Sequence, residues 1–173
     1  ARFPGAPVKI DAVYHDTNEN KTYFVRANDY YILDSSEKVP EGYPQKLNLK
    51  YPGLNVVPTV NSFFTALGLG SKLYFFSPNK YFKYNTTYDL EETKEIEHRA
   101  SDFLGIPKVF DCALNFNELN KIMIFQGTKV IKYNTDTRDI DSEYPKDISE
   151  EFPEIPNNLD ASINYEGDIY FFK

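Results

Sequence analysis

The chain has 173 residues, of which 41% are hydrophobic and 16% aromatic, so one domain with a sizeable core is expected. Its formal charge of −7 argues against the basic face that a phosphate-backbone binder needs; a solvated acidic surface is the simplest reading. The one cysteine, Cys112, excludes an intrachain disulfide and a cysteine-based zinc site, and no run is apolar enough to span a membrane.

Residues 1–9 read as a connector, Phe3-Pro4-Gly5-Ala6-Pro7. A first unit follows, with strands expected at 11–15, 22–26 and 30–34 and polar turns at 16–20 and 27–29. After a loop at 35–42, residues 46–50 suit a short outer strand or a helical turn before Pro52. A second unit places strands at 61–67, 73–77 and 80–85, with a glycine turn at 68–71. Residues 89–103 hold no Gly or Pro, begin acidic and end basic, and set Leu90, Ile96, Ala100 and Phe103 near one face. That pattern predicts a helix supported by its macrodipole. A third unit has strands at 111–116, 122–126 and 129–134, then a helical turn at 148–152. A fourth has strands at 161–165 and 168–172 and no third strand.

These units are copies. Residues 72–85 read KLYFFSPNKYFKYN and residues 121–134 read KIMIFQGTKVIKYN; a looser copy at 21–34 reads KTYFVRANDYYILD, and DIYFFK begins at Asp168. Each is two aromatic, β-branched runs about a small turn, which is how a β-hairpin reads. Just before each hairpin stands an acid or amide followed by small and apolar residues: Asp11, Asn61, Asp111 and Asp160. A period near 50 in both features, with about four segments per repeat, points to an all-β propeller rather than a sandwich. A hairpin alone is marginal in water, so the units must stack to bury their aromatics. The expected blades are 8–58, 59–107, 108–157 and a partial 158–173.

Together these features resemble the hemopexin-like repeat. The residues that carry the resemblance are Asp11-Ala12, Tyr23-Phe24, Tyr74-Phe75-Phe76, Lys80-Tyr81-Phe82, Tyr170-Phe171-Phe172, the Phe3 to Pro7 connector, and the pairs Tyr43-Pro44 and Tyr144-Pro145. The resemblance implies a four-bladed β-propeller with a narrow central channel and short outer helices. Three features depart from it: no disulfide partner for Cys112, no Trp, and a half-length last blade. The natural chain is therefore expected to continue past Lys173.

If the blades circle an axis, the starts of their inner strands converge there. Asp11, Asn61, Asp111 and Asp160 with their main-chain carbonyls then form an oxygen ring suited to Ca²⁺ or Na⁺, and the resemblance implies an ion in that place. The plainer role for the same acids is to hydrogen-bond nearby backbone and fix the turn into each strand. The aromatic runs read as core, and Cys112 as a small buried residue. Two N-glycosylation sequons, at Asn20 and Asn85, favour a secreted protein. His15 and His98 show no paired geometry, so no haem is expected. The run from Asp136 to Glu154 reads as a solvated face, with a small cationic ligand as the sharper alternative. No catalytic constellation is present: no phosphate loop, no His-x-x-Glu-His, no paired Ser or Cys nucleophile. The expected function is a secreted, non-enzymatic binding module that recognises a protein or small ligand. The alternatives are an accessory domain of a larger secreted metalloproteinase or toxin, and a storage or structural protein.

Overall fold

Consecutive apolar and aromatic residues, as in Tyr74-Phe75-Phe76, give each strand two apolar faces, and a strand with two apolar faces needs cover on both sides. A computed structural model, describing residues 3–54, 65–69, 71–116 and 120–173, shows how the chain meets that need. The first sheet is a meander of β1 (Ala12–Asp16), β2 (Lys21–Arg26), β3 (Asp29–Ile32) and β4 (Gln45–Lys46), closed by the short helix α1 (Leu47–Lys50). The second is β5 (Thr65–Leu69), β6 (Lys72–Ser77), β7 (Lys80–Tyr84) and β8 (Leu90–Glu95). The third is β9 (Cys112–Asn115), β10 (Lys121–Gln126), β11 (Lys129–Asn134) and β12 (Asp139–Ile140). There β13 (Lys146–Asp147) also pairs with β11 and leads into α2 (Ile148–Glu151). The fourth sheet holds only β14 (Ala161–Tyr165) and β15 (Asp168–Phe172).

Every described strand pair is antiparallel, and the sheets are joined by side chains rather than by shared hydrogen bonds. The inner strands adjoin in a cycle: β1 beside β5, β5 beside β9, β9 beside β14, and β14 beside β1. Four hydrophobic clusters fill the four gaps. Tyr14, Tyr23, Tyr30, Tyr51, Phe75, Phe82 and Tyr84 lie between the first two sheets. Phe76, Phe103, Phe110, Ile124 and Tyr133 lie between the second and third. Cys112, Met123, Phe125, Ile169 and Phe171 lie between the third and fourth, and Phe3, Val13, Phe24, Ile163, Tyr170 and Phe172 return from the fourth to the first. Edge-to-face pairs do much of this packing in place of Trp. Phe103 sits 4.9 Å from Tyr74 and 5.0 Å from Phe76, centroid to centroid.

The helix expected over 89–103 does not form. Residues 90–95 are strand β8, and the chain then turns through residues 96–103. Helix propensity is a weak prior, and here the open edge of β7 outweighs it. Lys80 pairs with Glu95, Tyr81 with Lys94, Phe82 with Thr93 and Lys83 with Glu92, and Lys94 reaches Glu92 at 2.6 Å. Ile96 and Phe103 are still buried, while Leu90 and Ala100 face out. His98 therefore lies in a turn and not on a helix. The glycine turn expected at 68–71 is tighter, since β5 runs through Gly68 to Leu69. Both short outer helices, α1 and α2, fall where helical turns are expected. Each is one turn long, and α2 begins with a capping box between Asp147 and Glu150.

Candidate functional site

The acids before the inner strands are set by register. The Asp11 amide donates to Val25 O at 2.9 Å, the Asp111 amide to Phe125 O at 2.7 Å, and the Asp160 amide to Phe172 O at 2.9 Å. Each residue thus stands one place before the first paired residue of β1, β9 or β14. In two sheets the carboxylate is turned outward within its own sheet. Asp11 Oδ2 accepts the Ala27 N–H at 2.6 Å, and Asp111 Oδ2 accepts the Gly127 N–H at 2.6 Å. Ala27 and Gly127 occupy the same place in the turn between second and third strands, and both have positive φ, 52° and 60°.

In the second sheet Pro78 takes that turn position. Proline fixes φ negative, so the left-handed residue moves to Asn79, at φ 69°. Pro78 also has no N–H to donate, so this turn lacks the donor that Asp11 and Asp111 use. Asn61 lies outside the described residues. Among the described residues, no three His, Cys, Asp or Glu side chains are grouped to hold a metal. A cation on the axis would therefore rest largely on main-chain carbonyls.

Between the first and second sheets lies a polar cluster that the repeat pattern did not reveal. The Lys50 ammonium donates to Glu19 Oε1 at 2.6 Å and sits 3.9 Å from the centre of the Tyr88 ring, 5.2 Å from Tyr23 and 5.8 Å from Tyr51. This is an aromatic cage filled by the chain's own cation. Tyr23 donates to Glu19 Oε2 at 2.5 Å. The Tyr88 hydroxyl lies 2.6 Å from Glu19 Oε1 and 2.7 Å from Asp16 Oδ2. One hydroxyl proton faces two carboxylates there, and the Lys50 ammonium on Glu19 offsets part of their mutual repulsion. Burial alone would raise Glu19, but hydrogen bonds from Lys50, Tyr23 and Tyr88 outweigh it and hold the carboxyl at about 2. Burial, and the same carboxylates, push the Tyr88 phenol well up. The signal in the sequence is faint: Lys50-Tyr51 before a Pro-Gly turn, and Tyr88 after the Asn85 turn.

Of the remaining sequence candidates, Asn20, Asn85 and His15 sit at or beside hairpin ends. Asn20 is exposed, at φ 53°, in the turn between β1 and β2. Asn85 caps the turn after β7, its Oδ1 accepting from the Thr87 amide at 2.9 Å and the Asp89 amide at 3.0 Å. His15 Nδ1 shares a hydrogen bond with Thr22 Oγ1 at 3.1 Å. It lines a cleft of about 700 Å³ between the first and fourth sheets, together with Glu19, Lys21, Asp34, Tyr165 and Glu166. His98 Nδ1 accepts from the Ala100 amide at 3.2 Å. Burial pushes the Cys112 thiol up to about 12, so it is no thiolate at neutral pH.

Three short meanders and one hairpin about a common centre, with an acid tying the turn of two of them, define a propeller-type repeat protein. The Hemopexin family profile matches residues 10–56 and 110–157. This chain belongs to the hemopexin family. It is 27% identical over 150 residues to the interstitial collagenase of Equus caballus, covering 87% of this chain and 30% of that protein. It is 26% identical over 165 residues to the hemopexin of Bos taurus, covering 94% of this chain and 33% of that one. The chain thus spans a third or less of these curated relatives. The solved hemopexin-fold protein CP4 from cow pea superposes with a TM-score of 0.74 at 19% identity, covering 97% of this chain and 83% of its own.

Proposed function

We propose that the chain is a secreted, non-catalytic binding module with one Ca²⁺ or Na⁺ on the propeller axis and an outer surface that recognises a protein or small cationic ligand. The observation that carries the reading is the convergence of β1, β5, β9 and β14, with the Asp11 and Asp111 carboxylates anchoring their strand starts. With those carboxylates engaged by turn amides, the carbonyls beside them supply hard oxygen ligands, the kind Ca²⁺ prefers. The cleft between the first and fourth sheets is lined by Asp34 and Glu166 beside the Lys21–Glu19 ion pair, and the two further acids favour a cationic guest there. Glycans at Asn20 and Asn85 would sit at hairpin ends, where Asn20 is exposed and Asn85 half-buried.

The test is a Ca²⁺ titration by isothermal calorimetry, with thermal unfolding in parallel. One ion per chain is expected, and a stabilisation of about 2.7 kcal/mol at a hundredfold excess over Kd. Asp111→Ala should bind Ca²⁺ with little loss, because the ligands are main-chain oxygens. Absence of both heat and thermal shift with Ca²⁺ and with Na⁺ sinks the ion. A second reading, an accessory domain of a larger metalloproteinase, is favoured by the match to interstitial collagenase over 87% of this chain. A transcript joining this chain to a His-Glu-x-x-His segment would establish it.

A further inference from the structure

The second sheet differs from the first and third in its outermost strand. In those two sheets the outermost strands β4, β12 and β13 are each two residues long, whereas β8 runs for six. Among the described residues β8 pairs only with β7, so its far edge is open. The turn that follows does not cross that edge. Lys94 donates to Ala100 O at 3.0 Å, and Asp102 accepts from Tyr74 at 2.9 Å and from Lys83 at 2.8 Å. Tyr74, Lys83 and Glu92 lie opposite one another along the sheet, so the turn packs over the face they share.

The hydrogen-bonding phase of the edge follows from register. The Ile96 amide donates to Asn79 O at 2.9 Å, so the backbone groups of Lys94 and Glu92 also turn toward β7. Those of Thr93 and Glu95 point away from it. Glu95 O accepts the His98 N–H at 3.1 Å, which leaves both N–H groups and the Thr93 carbonyl open to a further strand. The side chains of Thr93 and Glu95 are exposed as well. Glu91 is paired with Lys72 at 2.5 Å and Glu92 with Lys94 at 2.6 Å. Glu95 closes no ion pair among the described residues: Lys80, opposite it in β7, lies over the Phe82 ring instead.

We propose that the outer edge of β8 is a docking site for a basic, extended segment of a protein partner, bound as an added antiparallel strand. This locates the partner surface of the binding module and rests on that reading. A second copy of this chain does not suit the edge. Centring an antiparallel pair of β8 strands on Thr93 sets Glu91 against Glu95, and centring it on Glu92, Lys94 or Glu95 sets two like charges face to face. Charges placed in this way keep an edge from pairing with itself. A basic strand meets no such penalty. The chain's own β7 shows which side chains β8 accepts from a neighbour: Lys80 opposite Glu95, Tyr81 opposite Lys94, Phe82 opposite Thr93 and Lys83 opposite Glu92. The partner motif is thus Lys or Arg, an aromatic or polar residue, an apolar or β-branched residue, then Lys or Arg. Main-chain bonds to Thr93 and Glu95 supply affinity, and the basic residues supply selectivity.

The test uses the full chain, ¹⁵N-labelled, with the synthetic peptide Asn-Lys-Tyr-Phe-Lys-Tyr, the sequence of residues 79–84. Saturating peptide should slow hydrogen exchange at the Thr93 and Glu95 amides by about tenfold or more and leave the Lys94 amide, already turned to β7, little changed. Glutamate in place of both peptide lysines should weaken binding several-fold, and Glu95→Lys in the chain should narrow that preference. A proline in place of the peptide phenylalanine should abolish the protection, because that residue must donate to Thr93 O. The proposal is overturned if the lysine peptide leaves Thr93 and Glu95 unprotected in a folded spectrum, or if the glutamate peptide protects them as well. It is equally overturned if these two amides already exchange as slowly as that of Lys94 in the free chain. Protection that rises with protein concentration alone would assign the edge to a second copy and also refute it. Peptide-induced shifts confined to other residues would refute this edge and leave the binding-module reading standing, whose ion is tested apart by the Ca²⁺ titration.

Discussion

Replacing Lys50 by Met tests whether the cage between the first two sheets is a structural keystone or a surface ion pair. Met keeps the apolar stem and removes only the charge and its donors. The Lys50 and Glu19 side chains are 14% and 28% exposed, so the pair lies between the fully solvated and fully buried limits. A charge-assisted hydrogen bond is worth about 1.5–3 kcal/mol, and a partly desolvated cation over aromatic rings about 0.5–2. These overlap, because one ammonium makes both. The larger effect is what stays behind: Glu19 and Asp16 facing one Tyr88 proton, with only the more exposed Lys21 ammonium 3.4 Å from Glu19 Oε2. We expect a loss of about 2–3 kcal/mol, which at about 2–4 °C per kcal/mol lowers Tm by roughly 4–12 °C. The assay is urea unfolding followed by tyrosine fluorescence, with Glu19→Gln and the double variant completing a cycle. The double variant should recover part of the loss, since no unpaired carboxylate remains at position 19. A loss under about 0.5 kcal/mol for Lys50→Met, or strict additivity in the cycle, would refute the keystone reasoning.

Other outcomes follow from the same geometry. Glu19 titrates lower folded than unfolded, so its stabilisation is complete above its ordinary pKa and is lost as pH falls through about 2. Acid unfolding of the native chain should therefore steepen between about pH 4.5 and pH 2, and Lys50→Met should flatten that stretch. Ala27→Gly should stabilise the chain by about 0.5–1 kcal/mol, because Ala27 holds φ 52° and Asp11 binds only its backbone N–H; a loss in chemical unfolding would show that the turn does not hold that conformation. Phe103→Ala removes a fully buried ring that touches Tyr74, Phe76 and Tyr81, and should cost about 3–5 kcal/mol in urea unfolding.

The repeat was legible because strands buried on both faces demand aromatics at fixed offsets, and those offsets survive across units. Tyr74-Phe75-Phe76 and Lys80-Tyr81-Phe82 fall in β6 and β7 for that reason. The misread stretch, 89–103, was rich in helix formers, and local propensity carries no information about an unpaired edge nearby. Its period-two signal was present but weak: Glu92 and Lys94 are half-buried in β8 while Glu91, Thr93 and Glu95 are exposed. The Asp11 and Asp111 pair was legible by spacing, but the target of each carboxylate was not, since it depends on a turn sixteen residues on. The Lys50 cage was barely legible because Lys50 ends the one-turn helix α1 and Tyr88 lies in the loop between β7 and β8, neither of which the strand repeat constrains.

The most direct test of the axial account is a crystal structure grown in Ca²⁺. The account predicts one strong peak on the axis shared by β1, β5, β9 and β14, with main-chain oxygens beside Asp11 and Asp111 at about 2.3–2.6 Å. An axis without such a peak, or Ca²⁺ held only by surface carboxylates, would contradict it.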